Sequence, residues 1–553
     1  MKKFKESPIA RTLDMMGGEF GDFYRSLSLE DRLFVKKQIS HFHIKIQKIL
    51  IRRYQSFDKP FNANTYLRNI SAELNRLLPE KIISLFDAGE SELREVAEEK
   101  ARRCKKLELN ALQYSTLQNK PSAHSVNGNK PVNEITDLYD TLTSFVNGYG
   151  INPPEISKAV TLTGALKRMQ EKKWWLRKLR KVIARKREAV LIHLGQVNSR
   201  KGKYCSDYTV EYRLIQKDLQ RKMLENLVIV NENNESFSLA ELSDKNVSNP
   251  VNRKNELMTR MAGYEKIAKG NNHKSLFVTI TCPSRFHNTY AKSGDLNPKW
   301  DGSTPYDAQQ YLNDLWALVR AELNRKEIKV YGFRIAEPQH DGTPHWHMLI
   351  FIQQEQTEQF KAIIELYALR EDGDEAGAIE NRCDFKDIDY SRGSATGYIA
   401  KYVSKNVNGA NLDSDIDGGN AIEASQRVEA WASCWGIRQF QQIGAGSVTV
   451  WRELRRVNEL PGENESFTKI HDAADKGSWA EFVMLMGGVF CKREEQPIRP
   501  LYKEKVNTDT GELKQTYFDE VISISLRGVK LGKKEVITRI HEWRIENRGT
   551  RAA

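Results

Sequence analysis

Two short runs rich in β-branched and aromatic residues, KVYGFRIAE (329–337) and HWHMLIFI (345–352), flank PQHDGTP (338–344), and no other stretch constrains the fold as tightly. Runs of this texture are strands, and the Asp341-Gly342 pair favours a tight reversal, so the two are expected to form an antiparallel hairpin. KSLFVTITCPS (274–284) and CDFKDIDY (383–390) supply further strands. TPYDAQQYLNDLWALVRAELNRK (304–326) has the spacing of an amphipathic helix, and a second helix is expected over about 395–407. The stretch 271–410 therefore reads as an α+β domain with a mainly antiparallel sheet flanked by helices.

The remainder of the 553-residue chain is too long for one ordinary core and divides by texture. Residues 1–114 read as helical, with apolar residues at helical spacing in HFHIKIQKILIRRYQ and YLRNISAELNRLLPEKIISLF. STLQNKPSAHSVNGNKPVNE (115–134) reads as a polar linker, and 135–270 as a basic helical region. After Gly409 the loop ANLDSDIDGGN leads into a helical extension, 421–458, made of SQRVEAWASCWGIRQFQQIG and VTVWRELRRVNEL. Residues 459–553 mix short strands with a closing basic helix, and no internal repeat is present.

Charge narrows the partner. The chain carries a formal net charge of +13, which suggests a polyanion, nucleic acid first. No run approaches the roughly 20 apolar residues that span a bilayer, so no membrane partner is expected. The basic N-terminus has no apolar stretch behind it, which is not the pattern of a secretory signal and points to the cytoplasm. The six scattered cysteines contain no CxxC pair, which argues against a disulfide framework or a cysteine zinc site.

Side chains alternate along a strand, so His345 and His347 point to one face and could bind one cation together. Glu337, across the hairpin, is the candidate third ligand; His340 is a rival, but it sits in the turn. Two histidines and a carboxylate leave coordination positions open, as a catalytic metal requires. Partly exposed strand histidines beside a chance glutamate would look the same.

GSATGYIAKYVSKNV (393–407) carries the second constellation. Ser394 or Thr396 could cap its helix. Tyr398, Lys401, Tyr402 and Lys405 fall at i, i+3, i+4 and i+7 on one stripe, while Ile399, Val403 and Val407 form the apolar stripe that would pack on the sheet. The Tyr/Lys stripe is then expected to face a groove or solvent. A phenol titrates near pH ~10, so attack at neutral pH needs help from a neighbouring cation or a metal-polarised phosphate. Two tyrosines, each with a lysine one turn on, could alternate, so either could make a first cut.

The order FVTIT, HDGTPHWH, GYIAKYVSKN resembles the three motifs of HUH endonucleases, and more closely the bacteriophage replication gene A protein family, the two-tyrosine rolling-circle initiators. ASQRVEAWASCWGIRQFQQIG, VTVWRELRR and NPVNRKNELMTRMAGYE are also similar to that family. The resemblance implies Mg²⁺ or Mn²⁺ held by His345, His347 and, less securely, Glu337. It implies Tyr398 and Tyr402 as nucleophiles with Lys401 and Lys405 as helpers. The implied activity is nicking of one strand at a double-stranded origin through a 5′-phosphotyrosine link, leaving a 3′-OH primer, with later rejoining of the displaced strand. No GxxxxGK[ST] motif is present, so unwinding is expected from a host replicative helicase and extension from a host DNA polymerase. A two-tyrosine HUH transposase shares this chemistry, and a DNA-binding protein with a degenerate nuclease site is the alternative from another class.

Lys172, Lys173, Trp174, Trp175, Arg177, Lys178, Arg180 and Lys181 mix cations with aromatics. The cations could neutralise phosphates and the tryptophans stack on unpaired bases, or the tryptophans could be core. Arg452, Arg455 and Arg456 pose the same choice, and Thr279 and Thr281 either line the site or pack the strand.

Overall fold

The computed structural model describes residues 18–118, 131–407, 420–457, 464–506 and 512–548. The chain divides into two units, residues 1–194 with 506–523, and 195–505 with 524–553. The division at 194/195 falls inside the stretch that reads as one basic helical region.

The first unit is helical where the apolar spacing is helical. Its helices include Ile44–Gln55, Pro60–Leu77, Glu90–Gln118, Pro131–Asn147 and Lys172–His193. Leu50, Leu67, Leu74, Leu142 and Leu179 meet in its core. The polar segment 115–134 is entered by helices from both sides, and its residues 119–130 lie outside the described residues.

In the second unit five antiparallel strands form the central sheet. Their order is Cys383–Asp387, Lys274–Ile280, Pro344–Ile352, Val330–Pro338, Phe440–Ile443. The hairpin strands are buried on both faces, which is why they read as continuous apolar runs rather than alternating ones. One face carries Phe277, Phe333, Ile335, Leu349 and Phe351 into a core shared with helices Pro250–Gly270 and Ala395–Val407. Against the other face packs helix Pro305–Arg325, started by a Thr304–Asp307 capping box. There the Trp346 indole N–H donates to Gln309 Oε1 at 3.2 Å.

Two expectations are corrected. Phe440–Ile443 is the fifth strand, not part of a helix continuing from Ala421–Trp435, because Gly436 takes the left-handed conformation (φ 70°) and ends that helix. The closing basic helix is instead an edge strand, Arg544–Asn547, paired antiparallel with Leu227–Val230. Ile545 is exposed there, so the segment has no buried apolar stripe to hold a helix. The loop after Gly409 lies outside the described residues up to residue 419. Among the described residues no helix is long and apolar enough to cross a membrane.

Candidate active site

The hairpin register places Glu337 directly opposite His345, and His347 directly opposite both Ile335 and Thr279. Opposed residues in an antiparallel pair share a face, so the carboxylate and both imidazoles converge on the side covered by helix Ala395–Val407. The turn that permits this spans Gln339–Thr343, longer than the tight reversal expected. Gly342 stands at φ 85°, where an added Cβ would meet the Tyr204 carbonyl oxygen at 2.8 Å. Buried Asp341 anchors the turn, accepting from Thr343 N at 3.0 Å and pairing with His287 Nδ1 at 3.0 Å.

One ligand atom from each of Glu337, His345 and His347 lies within 4.8 Å of the others. The two Nε2 atoms are 2.8 Å apart, and His347 Nε2 is 3.9 Å from Glu337 Oε2. Donors each about 2.1 Å from one ion sit roughly 3.0–3.4 Å apart, so small side-chain adjustments close the set around a cation. Burial, reinforced by Lys405 nearby, pushes the His345 imidazole down to about 3. Burial, His345 and Lys405 hold His347 well below its ordinary range. Both rings are therefore neutral and offer the lone pairs a metal needs. Thr279 Oγ1 lies 3.1 Å from His347 Nδ1, which turns His347 Nε2 into the cluster. His340 is turned away, with Nε2 3.0 Å from the Thr289 carbonyl oxygen. Two imidazoles and one carboxylate could hold a divalent metal ion.

Helix Ala395–Val407 delivers the second half. Ser394 is its cap, accepting from Gly397 N at 2.9 Å; the Thr396 N–H and hydroxyl instead donate to buried Glu265. Ile399, Val403 and Val407 are buried against the sheet as expected, which turns Tyr398 and Tyr402 toward Phe277 and the metal cluster. The Tyr402 ring lies 4.3 Å from the His347 ring and 5.2 Å from Phe277, and Tyr398 stands edge-on to Phe277 at 4.7 Å. Burial, then Tyr398 and Glu337, push the Tyr402 phenol up. Exposed Lys401 places Nζ 5.2 Å from the Tyr398 ring and 4.9 Å from that of Tyr402.

Lys405 departs from the expectation. It is 6% exposed, not facing a groove or solvent, and its Nζ lies 3.6 Å from Glu337 Oε2 and 4.9 Å from the Tyr204 ring. Each tyrosine therefore does not have its own free lysine; Lys401 sits over both. The reason is geometric, since i+7 returns to the line of Tyr398 about two turns further along the helix, over the carboxylate.

Asn406 is a site residue that the sequence reading missed. Its side-chain amide donates to Glu337 Oε1, and its own oxygen accepts from Gln439 Nε2 at 3.0 Å. One carboxylate oxygen is thus pinned while the other faces the histidines. The signal was available, because Tyr398, Tyr402 and Asn406 are spaced i, i+4, i+8. Thr281 does not join the cluster; its hydroxyl donates to the Asn381 carbonyl at 2.7 Å.

The basic helix Lys172–His193 belongs to the first unit. Trp174 and Trp175 are core residues, 4% and 0% exposed, so base stacking by them is corrected: the indoles fill the helical core, and Trp175 donates to the Met169 carbonyl. Lys172 pairs with Glu98 at 2.6 Å and Arg180 with Glu90. Lys178 reaches the Asn152 carbonyl at 3.3 Å, leaving Lys173, Arg177 and Lys181 as an exposed i, i+4, i+8 row. In the second unit Arg452 is held by Glu256 at 2.7 Å and Arg456 lies 3.6 Å from Glu453, while Arg455 lies over Trp451.

The family described as bacteriophage replication gene A protein (GPA) matches residues 94–410. The replication gene A protein of Escherichia phage 186 is 38% identical over 415 residues, covering 72% of this chain and 59% of that protein. The replication protein of Haemophilus phage HP1 is 37% identical, covering 71% of this chain and 50% of its own length. A protein of Salmonella paratyphi A named "probable replication endonuclease from prophage-like region" is 33% identical, covering 61% and 44%. The chain thus spans about half the length of these relatives. No solved structure matches it.

Proposed function

The chain belongs to the bacteriophage replication gene A protein family, and from that premise we propose that it initiates rolling-circle DNA replication by nicking one origin strand through a tyrosine. The observation that carries this reading is the Tyr402 ring 4.3 Å from that of His347, with Lys401 above both tyrosines. A nucleophile, a cation and a metal-competent cluster thereby face one point.

In the proposed reaction a tyrosine Oη attacks the scissile phosphorus. The new O–P bond replaces the P–O3′ bond, the phenolic proton leaves, and the departing oxygen takes up a proton as a 3′-OH. The protein keeps the 5′ phosphate, so bond energy is conserved and the 3′-OH of a displaced strand can reverse the step to rejoin it. Mg²⁺ or Mn²⁺ at Glu337, His345 and His347 would neutralise charge on the phosphate as the transition state forms. Lys401, over both rings, would offset the negative charge that develops during attack, and Asn406 and Thr279 hold two of the donors in register. Lys173, Arg177 and Lys181 are proposed to contact DNA phosphates from the first unit. Extension of the 3′-OH is assigned to a host DNA polymerase behind a host replicative helicase, in the bacterial cytoplasm.

The test uses labelled single-stranded oligonucleotides tiled across DNA around the protein's own gene, with Mn²⁺ or EDTA. The proposal expects a protein–DNA adduct that survives denaturation, needs metal, and is absent in Tyr398→Phe/Tyr402→Phe. Cleavage without an adduct would assign a water-using nuclease instead.

A further inference from the structure

A groove of roughly 670 Å³ lies between helix Pro305–Arg325, the start of strand Val330–Pro338, and segments 443–447 and 489–493. Its lining contains Arg320, Lys329, Lys492 and Arg493 and no carboxylate. All four cations are exposed, and among the described residues no ion pair joins any of their side chains to an acid. Arg285, by contrast, is held by Asp301, Glu371 and Asp372. The half-buried Phe490 ring, 5.8 Å below Lys329 Nζ, contributes an aromatic surface between the cations.

We propose that this groove binds the phosphodiester backbone of DNA flanking the nick, as a contact site separate from the metal cluster. Four unpaired cations on two facing walls suit a ligand with a negative charge at every repeat. Asn324, Ser447 and Gln496 in the same lining add neutral polar groups that can bond phosphate or sugar oxygens. The groove opens where the central hairpin strand begins, at Lys329 and Val330, whereas Glu337 lies seven residues along that strand. At about 3.3 Å per residue the separation along the strand is roughly 23 Å, a lower bound of about seven nucleotides at ~3.4 Å each. This assignment of DNA as the ligand rests on the nicking reading.

The test compares wild type with Lys329→Gln/Lys492→Gln/Arg493→Gln, full-length chains whose unchanged melting is checked first. Binding of single strands of increasing length and of a duplex is measured as a function of salt. Each lost phosphate contact lowers the slope of log K against log salt by about 0.7–0.9. The variant is expected to lose roughly two slope units and tenfold or more in low-salt affinity on long DNA. Strands reaching fewer than about seven nucleotides from the nick should bind both proteins alike and form adduct at the same rate. An unchanged slope on long DNA overturns the groove assignment, whatever the adduct assay shows. A polyglutamate peptide bound tightly by wild type and lost by the variant, with DNA binding unchanged, would reassign the groove to an acidic protein partner. If wild type forms no adduct on any strand while the variant still loses slope, the groove stands and the nicking reading falls.

Discussion

Thr279→Val isolates how much of the metal site is built outside its ligands. Valine keeps the shape and strand preference of threonine and replaces with a methyl only the hydroxyl, whose Oγ1 lies 3.1 Å from His347 Nδ1. Without it the ring loses the contact that fixes its tautomer and rotation, and Nε2 is no longer held toward Glu337 and His345. Removing such a partner typically costs ten- to a hundredfold in metal affinity, about 1.4–2.7 kcal/mol. Leaving the buried Nδ1 unmet costs the metal-free protein about 1–3 kcal/mol as well. Calorimetric titration of Mn²⁺ into the full chain measures the first effect, and melting in EDTA the second. Thr281→Val is the control: Thr281 bonds the Asn381 carbonyl, so it should leave Mn²⁺ affinity unchanged. Equal Mn²⁺ affinity for wild type and Thr279→Val would refute the argument, and equal losses in both variants would show a generic strand effect instead.

Lys401→Gln should slow adduct formation at least tenfold while leaving Mn²⁺ affinity intact, since its Nζ sits over the tyrosine rings and not at the ligands; parallel losses in a titration and a nicking assay would contradict this. Asp341→Asn should destabilise the protein most between about pH 4 and 6.5. Burial opposes the charged form of His287, but Asp341 raises it on balance, and that contribution is lost as pH rises through the folded value. His287 in turn holds Asp341 low despite its burial, a contribution lost as pH falls through the folded value, so the difference in melting temperature should shrink at both ends. Trp175→Ala should cost about 3–5 kcal/mol in urea unfolding, as a core cavity does; a near-neutral melt with weakened single-strand binding would restore the indole as a DNA contact.

The Glu337–His345–His347 cluster was legible because strand geometry is periodic and local. Alternation puts His345 and His347 on one face, and the hairpin brings in Glu337. The helix was legible through its apolar stripe, Ile399, Val403 and Val407, which turns the tyrosines toward the cluster. What escaped depends on depth and on distant chain. Lys405 shares the tyrosines' stripe, yet one turn further it is buried over Glu337. Asn406 lies on the tyrosines' row, but its pairing with Gln439, like that of Thr396 with Glu265 on another helix, comes from distant chain. In the Lys172–Lys181 run the two indoles belong to the core, because composition records cations and aromatics but not which side of the helix each occupies. Phe440–Ile443 is four residues long and gains its strand character from pairing with Gly332–Ile335, a long-range choice.

The central claim is that Tyr398 or Tyr402 joins DNA covalently. The chain permits a direct test, because trypsin cuts after Arg392, Lys401 and Lys405 and so places the two tyrosines on different peptides, 393–401 and 402–405. The adduct is trapped with Mn²⁺, its DNA trimmed by nuclease, and the peptides read by tandem mass spectrometry. The account predicts a nucleotide mass on one or both of these peptides, localised to the phenol. A nucleotide on any other residue, or a nicked strand with both peptides unmodified, would contradict it.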